Sequence, residues 1–208
     1  MTQAFRPLGA EFRRDWDEGL GWECKRSAIA FAVLMVFAFA ACRLSPALLN
    51  WVMDLLTGTL SSSGSTAQMQ GLTAVLALLA VNIQSCSVSM LYGMIPFLYL
   101  PALALGLNSM LLGVMAAWYV ALGYSPLAAL AVLLPQFLFE VPALILSFGA
   151  GLFVCGQVTR RIRGDEAARS AMACLMVLSR TLLLLLPFLA LSAAAETILT
   201  PAVASLFL

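Results

Sequence analysis

Gly71-Leu72-Thr73-Ala74-Val75-Leu76-Ala77-Leu78-Leu79-Ala80-Val81 opens an apolar run that continues almost unbroken to Gln157. Between Leu55 and Thr159 the only charged side chain is Glu140. A helix needs about 20 apolar residues to cross the hydrocarbon core of a bilayer. An ionised group at its centre costs about 3 kcal/mol or more. The run therefore reads as several membrane crossings, and Glu140 as a residue that has to be accounted for.

Composition points the same way. Apolar residues make up 62% of the chain and charged residues 10%, far from the balance of a soluble domain. The formal net charge of +1 and the confinement of charge to a few segments leave no basis for a nucleic-acid partner. The partner expected from composition is the lipid bilayer itself. Cys24, Cys42, Cys86, Cys155 and Cys174 form no CxxC pair and read as small buried residues. There is no histidine, which removes Ser-His, Cys-His and HExxH chemistry. No catalytic residue, metal site or cofactor is expected.

Working outward from the run, breaks near Gly93-Pro96 and Gly123-Pro126 divide it into spans at about 71–92, 94–121 and 127–157. The last is too long for one straight helix, and Pro135 and Pro142 inside it predict a kink or re-entrant turn. Upstream, 27–44 is a first span, followed by a polar connection over 45–70 that includes Ser61 to Thr66. Downstream, Arg160, Arg161, Arg163 and Arg169 mark a hydrophilic loop over 158–170, and a final span covers 171–191. Residues 1–26 place Phe12, Trp16 and Leu20 at i, i+4 and i+8, the pattern of an interfacial amphipathic helix, with a solvated tail as the alternative.

The fold class expected is all-α, a polytopic transmembrane bundle of about five spans with proline-broken segments, occupying residues 27–208. The positive-inside rule puts residues 1–26 and loop 158–170 in the cytoplasm and loop 45–70 outside.

Within the spans, Asn82, Ser85 and Ser89 share a helical face with Gly93, which favours helix packing over a pore lining. Gly106, Asn108 and Gly113 suggest another close crossing. Ser147, Gly151 and Cys155 form a small-xxx-small ladder. Gln136 and Glu140 lie at i and i+4 beside the two prolines. Three roles are open to Glu140: a structural pairing with Gln136, Asn108, a freed backbone amide or Arg180; a proton or cation site; or a residue facing water in a cavity. Arg180, about nine residues into the last span, either snorkels to the surface or pairs with an acid, and snorkelling is favoured. Glu196 sits near the far end of that span.

Three stretches carry a family resemblance: Gly106-Leu107-Asn108-Ser109-Met110-Leu111-Leu112-Gly113; Leu134-Pro135-Gln136-Phe137-Leu138-Phe139-Glu140-Val141-Pro142-Ala143; and Ala195-Glu196 ahead of Pro201. Together they resemble the stage II sporulation protein M family. Its members have an Asn-Gly-x-x-x-Gly pattern, a Pro-His-Gly-x-x-Glu-x-Pro-Ala signature and a C-terminal Glu shortly before a Pro. Asn82 resembles the family's earlier membrane Asn. Here Ser109 stands for the Gly, and Gln136-Phe137 for His-Gly, so position 136 can hydrogen-bond but not titrate.

The resemblance implies a bacterial cytoplasmic (inner) membrane protein. In spore formers it implies one that acts with peptidoglycan-degrading partners. The site it implies comprises Asn82, Asn108, Gln136, Glu140, Pro142 and Glu196, to which the residues themselves add Arg180. The reading favoured is a non-enzymatic scaffold that recruits membrane-associated protein partners and dimerises through its small-residue faces, including Gly113. A small-solute or ion transporter built around Gln136 and Glu140 is the alternative.

Overall fold

The computed structural model describes the backbone of residues 8–62 and 71–207, and the side chains of those residues except at 59–62, 130–132, 135, 136 and 198–207. Every regular element among the described residues is helical: α1 (Leu8–Asp15), α2 (Gly21–Leu44), α3 (Pro46–Ser62), α4 (Leu72–Leu91), α5 (Leu100–Ala121), α6 (Pro126–Pro135), α7 (Val141–Ile162) and α8 (Ala171–Phe207). Among the described residues, five stretches are long and apolar enough to cross a membrane: Leu8–Leu44, Leu72–Met94, Leu100–Ala121, Phe137–Ile162 and Ala171–Thr197. The expected all-α membrane bundle is what forms.

The breaks fall where backbone chemistry puts them. Gly19, at φ 129°, lies in the wide turn Trp16–Leu20 that redirects α1 away from α2. A side chain would be strained at that φ, so the bend depends on glycine. Pro142 occupies the first turn of α7, where its missing N–H costs little. The residues before it, Gln136–Glu140, widen into a π turn between α6 and α7. Pro101 likewise opens α5.

α7 is the hub. More than half of its apolar window is buried (56%), against 17% for α4. It packs on α2, α4, α5 and α8, with Ser147, Phe148, Ala150, Val154 and Cys155 fully buried. A lipid solvent supplies no hydrophobic force between helices, so close packing and hydrogen bonds must hold them. Small residues provide the packing. A Cβ on Gly93, just beyond α4, would run into the Gly151 backbone; one on Gly151 would meet Pro101 Cγ at 2.9 Å and the Ser89 carbonyl at 3.0 Å. A Cβ on Gly113 of α5 would strike the Met35 carbonyl of α2.

Three features differ from the sequence reading. The connection expected over 45–70 contains α3, which packs by Leu49 with Trp51 and Leu55 outward; of the Ser61 to Thr66 loop expected to be external, Ser61 and Ser62 close α3 and the rest lies outside the described residues. The Phe12-Trp16-Leu20 stripe does not simply face lipid. Leu20 is fully buried and Phe12 packs against the main core, leaving Trp16 as the outward member. The α4 packing face also differs: Ser85 is exposed, and Cys86, Ser89 and Met90 are the buried residues. Rotation by about 100° per residue swings position 85 out of the stripe that 86 and 93 share.

Gly93→Ala should cost about 1–3 kcal/mol, because a methyl group has nowhere to go between two backbones. Gly156, on α7 with nothing within 4 Å of its Cβ position, is the matched control. Gly156→Ala should gain about 0.5–1 kcal/mol through helix propensity. Thermal melting in detergent measures both; equal stability of the two variants would contradict the close crossing.

Candidate functional site

Glu11, Asp15 and Glu18 are spaced i, i+4 and i+7, which puts three carboxylates on one side of a helical segment. Arg169 lies just ahead of α8 and Arg180 within it, and both reach toward the same acids. The fold brings the two sets together. Asp15, only 2% exposed, accepts from Arg169 Nη1 at 2.7 Å with one oxygen and from Arg180 Nη1 at 2.7 Å with the other. Arg169 Nη2 also reaches Glu18 at 2.6 Å, and Arg180 Nε reaches Glu11 at 3.2 Å. The Arg169 guanidinium lies 5.3 Å from the centre of the Phe153 ring, and its backbone N–H donates to Gln157 Oε1 at 3.2 Å. This charged latch ties the N-terminal helix to the start of α8 and to α7.

Burying a carboxylate is tolerable only when it is paired and hydrogen-bonded. Asp15 meets that condition twice over. Arg180 therefore does not snorkel freely but pairs with acids, and those acids are Asp15 and Glu11. Beside the latch, Arg160 donates to Asp165 at 2.6 Å and 2.8 Å and, with the Ala167 amide, holds that carboxyl below its ordinary value of 3.8. A depressed folded pKa means that this contribution is present above the ordinary value and is lost as pH falls through the lowered one.

A second polar system runs along α7. Ser147 donates to the Cys86 carbonyl at 3.2 Å, the Cys155 thiol to the Ile95 carbonyl at 3.4 Å, and the Phe97 amide to Thr159 Oγ1 at 3.1 Å. The acceptors and donor around residues 95–97 belong to an irregular turn in which Phe97 (φ 67°) and Tyr99 (φ 46°) are left-handed. Such residues cost about 1 kcal/mol or more each and persist only where neighbours hold them. Arg163, 5.6 Å from the centre of the Phe97 ring, adds a cation–π contact. The Ser147, Gly151, Cys155 ladder is thus continued by Thr159 and serves packing within one chain.

The residues expected to form the intramembrane site are spread over different helices: Asn82 on α4, Asn108 on α5, Glu140 at the head of α7 and Glu196 on α8. Asn108 Nδ2 donates to the Ala104 carbonyl of its own helix at 2.8 Å, and Ser109 to Gly106 at 2.9 Å. Glu140 is half-buried at the head of α7 and makes no side-chain cap there. The Gln136 side chain lies outside the described residues. Pro142 is exposed, and Glu196 is half-buried on α8. Three buried groups have no partner among the described residues: Ser27 Oγ, Asn82 Nδ2 and, one turn before Glu196, Ser192 Oγ.

These features define a polytopic α-helical membrane protein with a charged latch at one end of the bundle and polar side chains at its helix crossings. The chain belongs to the Stage II sporulation protein M family, whose model matches residues 27–201. Neither a curated protein nor a solved structure matches it. The latch acids Glu11, Asp15 and Glu18 precede the matched residues, and the Glu140-Val141-Pro142-Ala143 signature lies at the π turn within them.

Asp15→Ala leaves two partly buried arginines short of their shared acceptor and should destabilise the protein by about 3 kcal/mol. Arg14→Gln removes an exposed pair with Glu18 and should change stability by less than about 0.5 kcal/mol. Chemical denaturation followed by tryptophan fluorescence compares them; a harmless Asp15→Ala would show that the latch does not hold the fold.

Proposed function

We propose that this protein is a non-enzymatic scaffold of a bacterial cytoplasmic membrane, with its N-terminus inside, that recruits peptidoglycan-remodelling partners on the outer side and self-associates within the membrane. The observation that carries this reading is the use of the intramembrane polar groups. Ser89, Ser109, Ser147, Cys155 and Thr181 are buried, and each donates to a backbone carbonyl. Ser89, Ser109 and Thr181 bond within their own helices and Ser147 and Cys155 bond across to neighbouring segments, so these polar groups are spent on backbone carbonyls, which favours a rigid bundle over a solute path. The orientation follows from charge: the N-terminal helix meets Arg169, and the 95–99 turn meets Arg163, so these segments share one end of the bundle with the arginine-rich loop. Excess Lys and Arg favour the cytoplasm.

α3 then lies toward the outside. Its exposed Trp51 and Leu55 form an apolar edge suited to docking a partner. The small-residue faces are consumed inside the monomer, so a dimer would use the outward row Ile29, Val33, Val36 and Phe37 of α2. The transporter reading rests on one observation, the π turn that ends at Glu140, because such turns recur at functional sites.

A photoreactive residue in place of Trp51 should capture a peptidoglycan-binding or peptidoglycan-cutting protein in living cells. In proteoliposomes, wild type and Glu140→Gln should show the same background proton and cation flux. Flux that depends on Glu140, with no such protein captured at position 51, would replace the scaffold by the transporter.

A further inference from the structure

A groove of about 540 Å³ lies between α2, α5 and α7. Its apolar wall includes Leu34 and Leu105, and its mouth carries Glu23, Arg26 and Tyr99. The depth of that mouth is set by the sequence. Arg26 is the last charged residue before the apolar part of α2, so the mouth sits at headgroup level and the wall continues into the hydrocarbon. The flanking Ile29, Val33 and Leu103 are exposed, and the groove opens sideways toward lipid.

The mouth is built to meet a charged headgroup. Ser27 lines the groove at 1% exposure, and its hydroxyl has no partner among the described residues. An unsatisfied buried hydroxyl is costly, and its neighbours offer it nothing. Arg26 and Glu23 are only loosely paired, at 3.3 Å, so each keeps capacity for another ion. Tyr99 is held in the left-handed conformation ahead of α5, which lacks a side-chain cap and turns its positive end to the same place. A cation and an anion one helical turn apart complement a headgroup that carries both charges.

We propose that this groove binds a phospholipid with a phosphate–ammonium headgroup: the phosphate is held by Arg26 and Ser27, the ammonium meets Glu23, and one acyl chain lies along Leu34 and Leu105. Basic pockets between spans bind lipid headgroups by the same electrostatics. The added acid makes this pocket select a zwitterion over a purely anionic lipid.

Native mass spectrometry of the full chain, in detergent containing equal phosphatidylethanolamine and phosphatidylglycerol, tests the proposal. Wild type should retain one phosphatidylethanolamine with about fivefold preference, one surface charge contact being worth roughly that factor. Glu23→Gln should abolish the preference, and Arg26→Gln should lower retention of both lipids by about fivefold. Ala102→Phe, at an exposed groove position, should remove the bound lipid while leaving the melting curve in lipid-free detergent unchanged. Soluble glycerophosphoethanolamine should not compete. Equal retention of the two lipids by wild type, retention unaffected by Ala102→Phe in a folded protein, displacement by the soluble headgroup, or a lipid-free dimer lost on Ala102→Phe would each overturn it.

Discussion

Everything in this bundle is arranged around the contact of two backbones, Gly151 of α7 against Gly93 at the end of α4. Helices separated by ordinary side chains lie about 8–10 Å apart. Here glycines allow the chains to touch, and Pro101 and the Ser89 carbonyl close over the same point. Because lipid is as apolar as the helix surfaces, this proximity is what makes dispersion and short hydrogen bonds favour the assembled state. The close approach also brings Cys155 and Thr159 within reach of the irregular turn at 95–97, so its freed backbone groups find partners. Without that reach, left-handed Phe97 and Tyr99 would have little to hold them.

A second constraint acts at the same end of the molecule. Buried Asp15 binds Arg169, just ahead of α8, and Arg180 inside it, tying the N-terminal helix to the last span across as many as 165 positions of sequence. The bend at Gly19 makes this possible by folding α1 back over the bundle, where Arg169 stacks on Phe153 beside it. The hub fixes the helices in the membrane, and the latch fixes the order in which their ends meet.

The sequence was legible where one local rule decided the outcome. Long apolar runs gave the crossings, paired prolines marked the π turn, and i+4 spacing of small residues marked the packing face of α7. Tertiary pairing was not local. Arg180 offered several acids, and only the folded chain places Asp15 there. A clue was present in the i, i+4, i+7 spacing of Glu11, Asp15 and Glu18, but it was masked by the aromatic stripe interleaved with it. Likewise the polar residues after position 56 hid the apolar stretch that becomes α3. Ser85 was assigned to a buried face because it shares approximate spacing with Asn82 and Ser89; a rotation of one residue moves that face to Cys86.

The central claim is that the α7 ladder holds the 92–99 turn as firmly as a helix. Hydrogen–deuterium exchange of the full chain in lipid nanodiscs measures this at the Phe97 amide. The account predicts slow exchange in wild type, comparable with the adjacent turns of α4 and α5, and a marked acceleration confined to this turn in Thr159→Val. Fast exchange in wild type, or no change on removing the Thr159 hydroxyl, would contradict it.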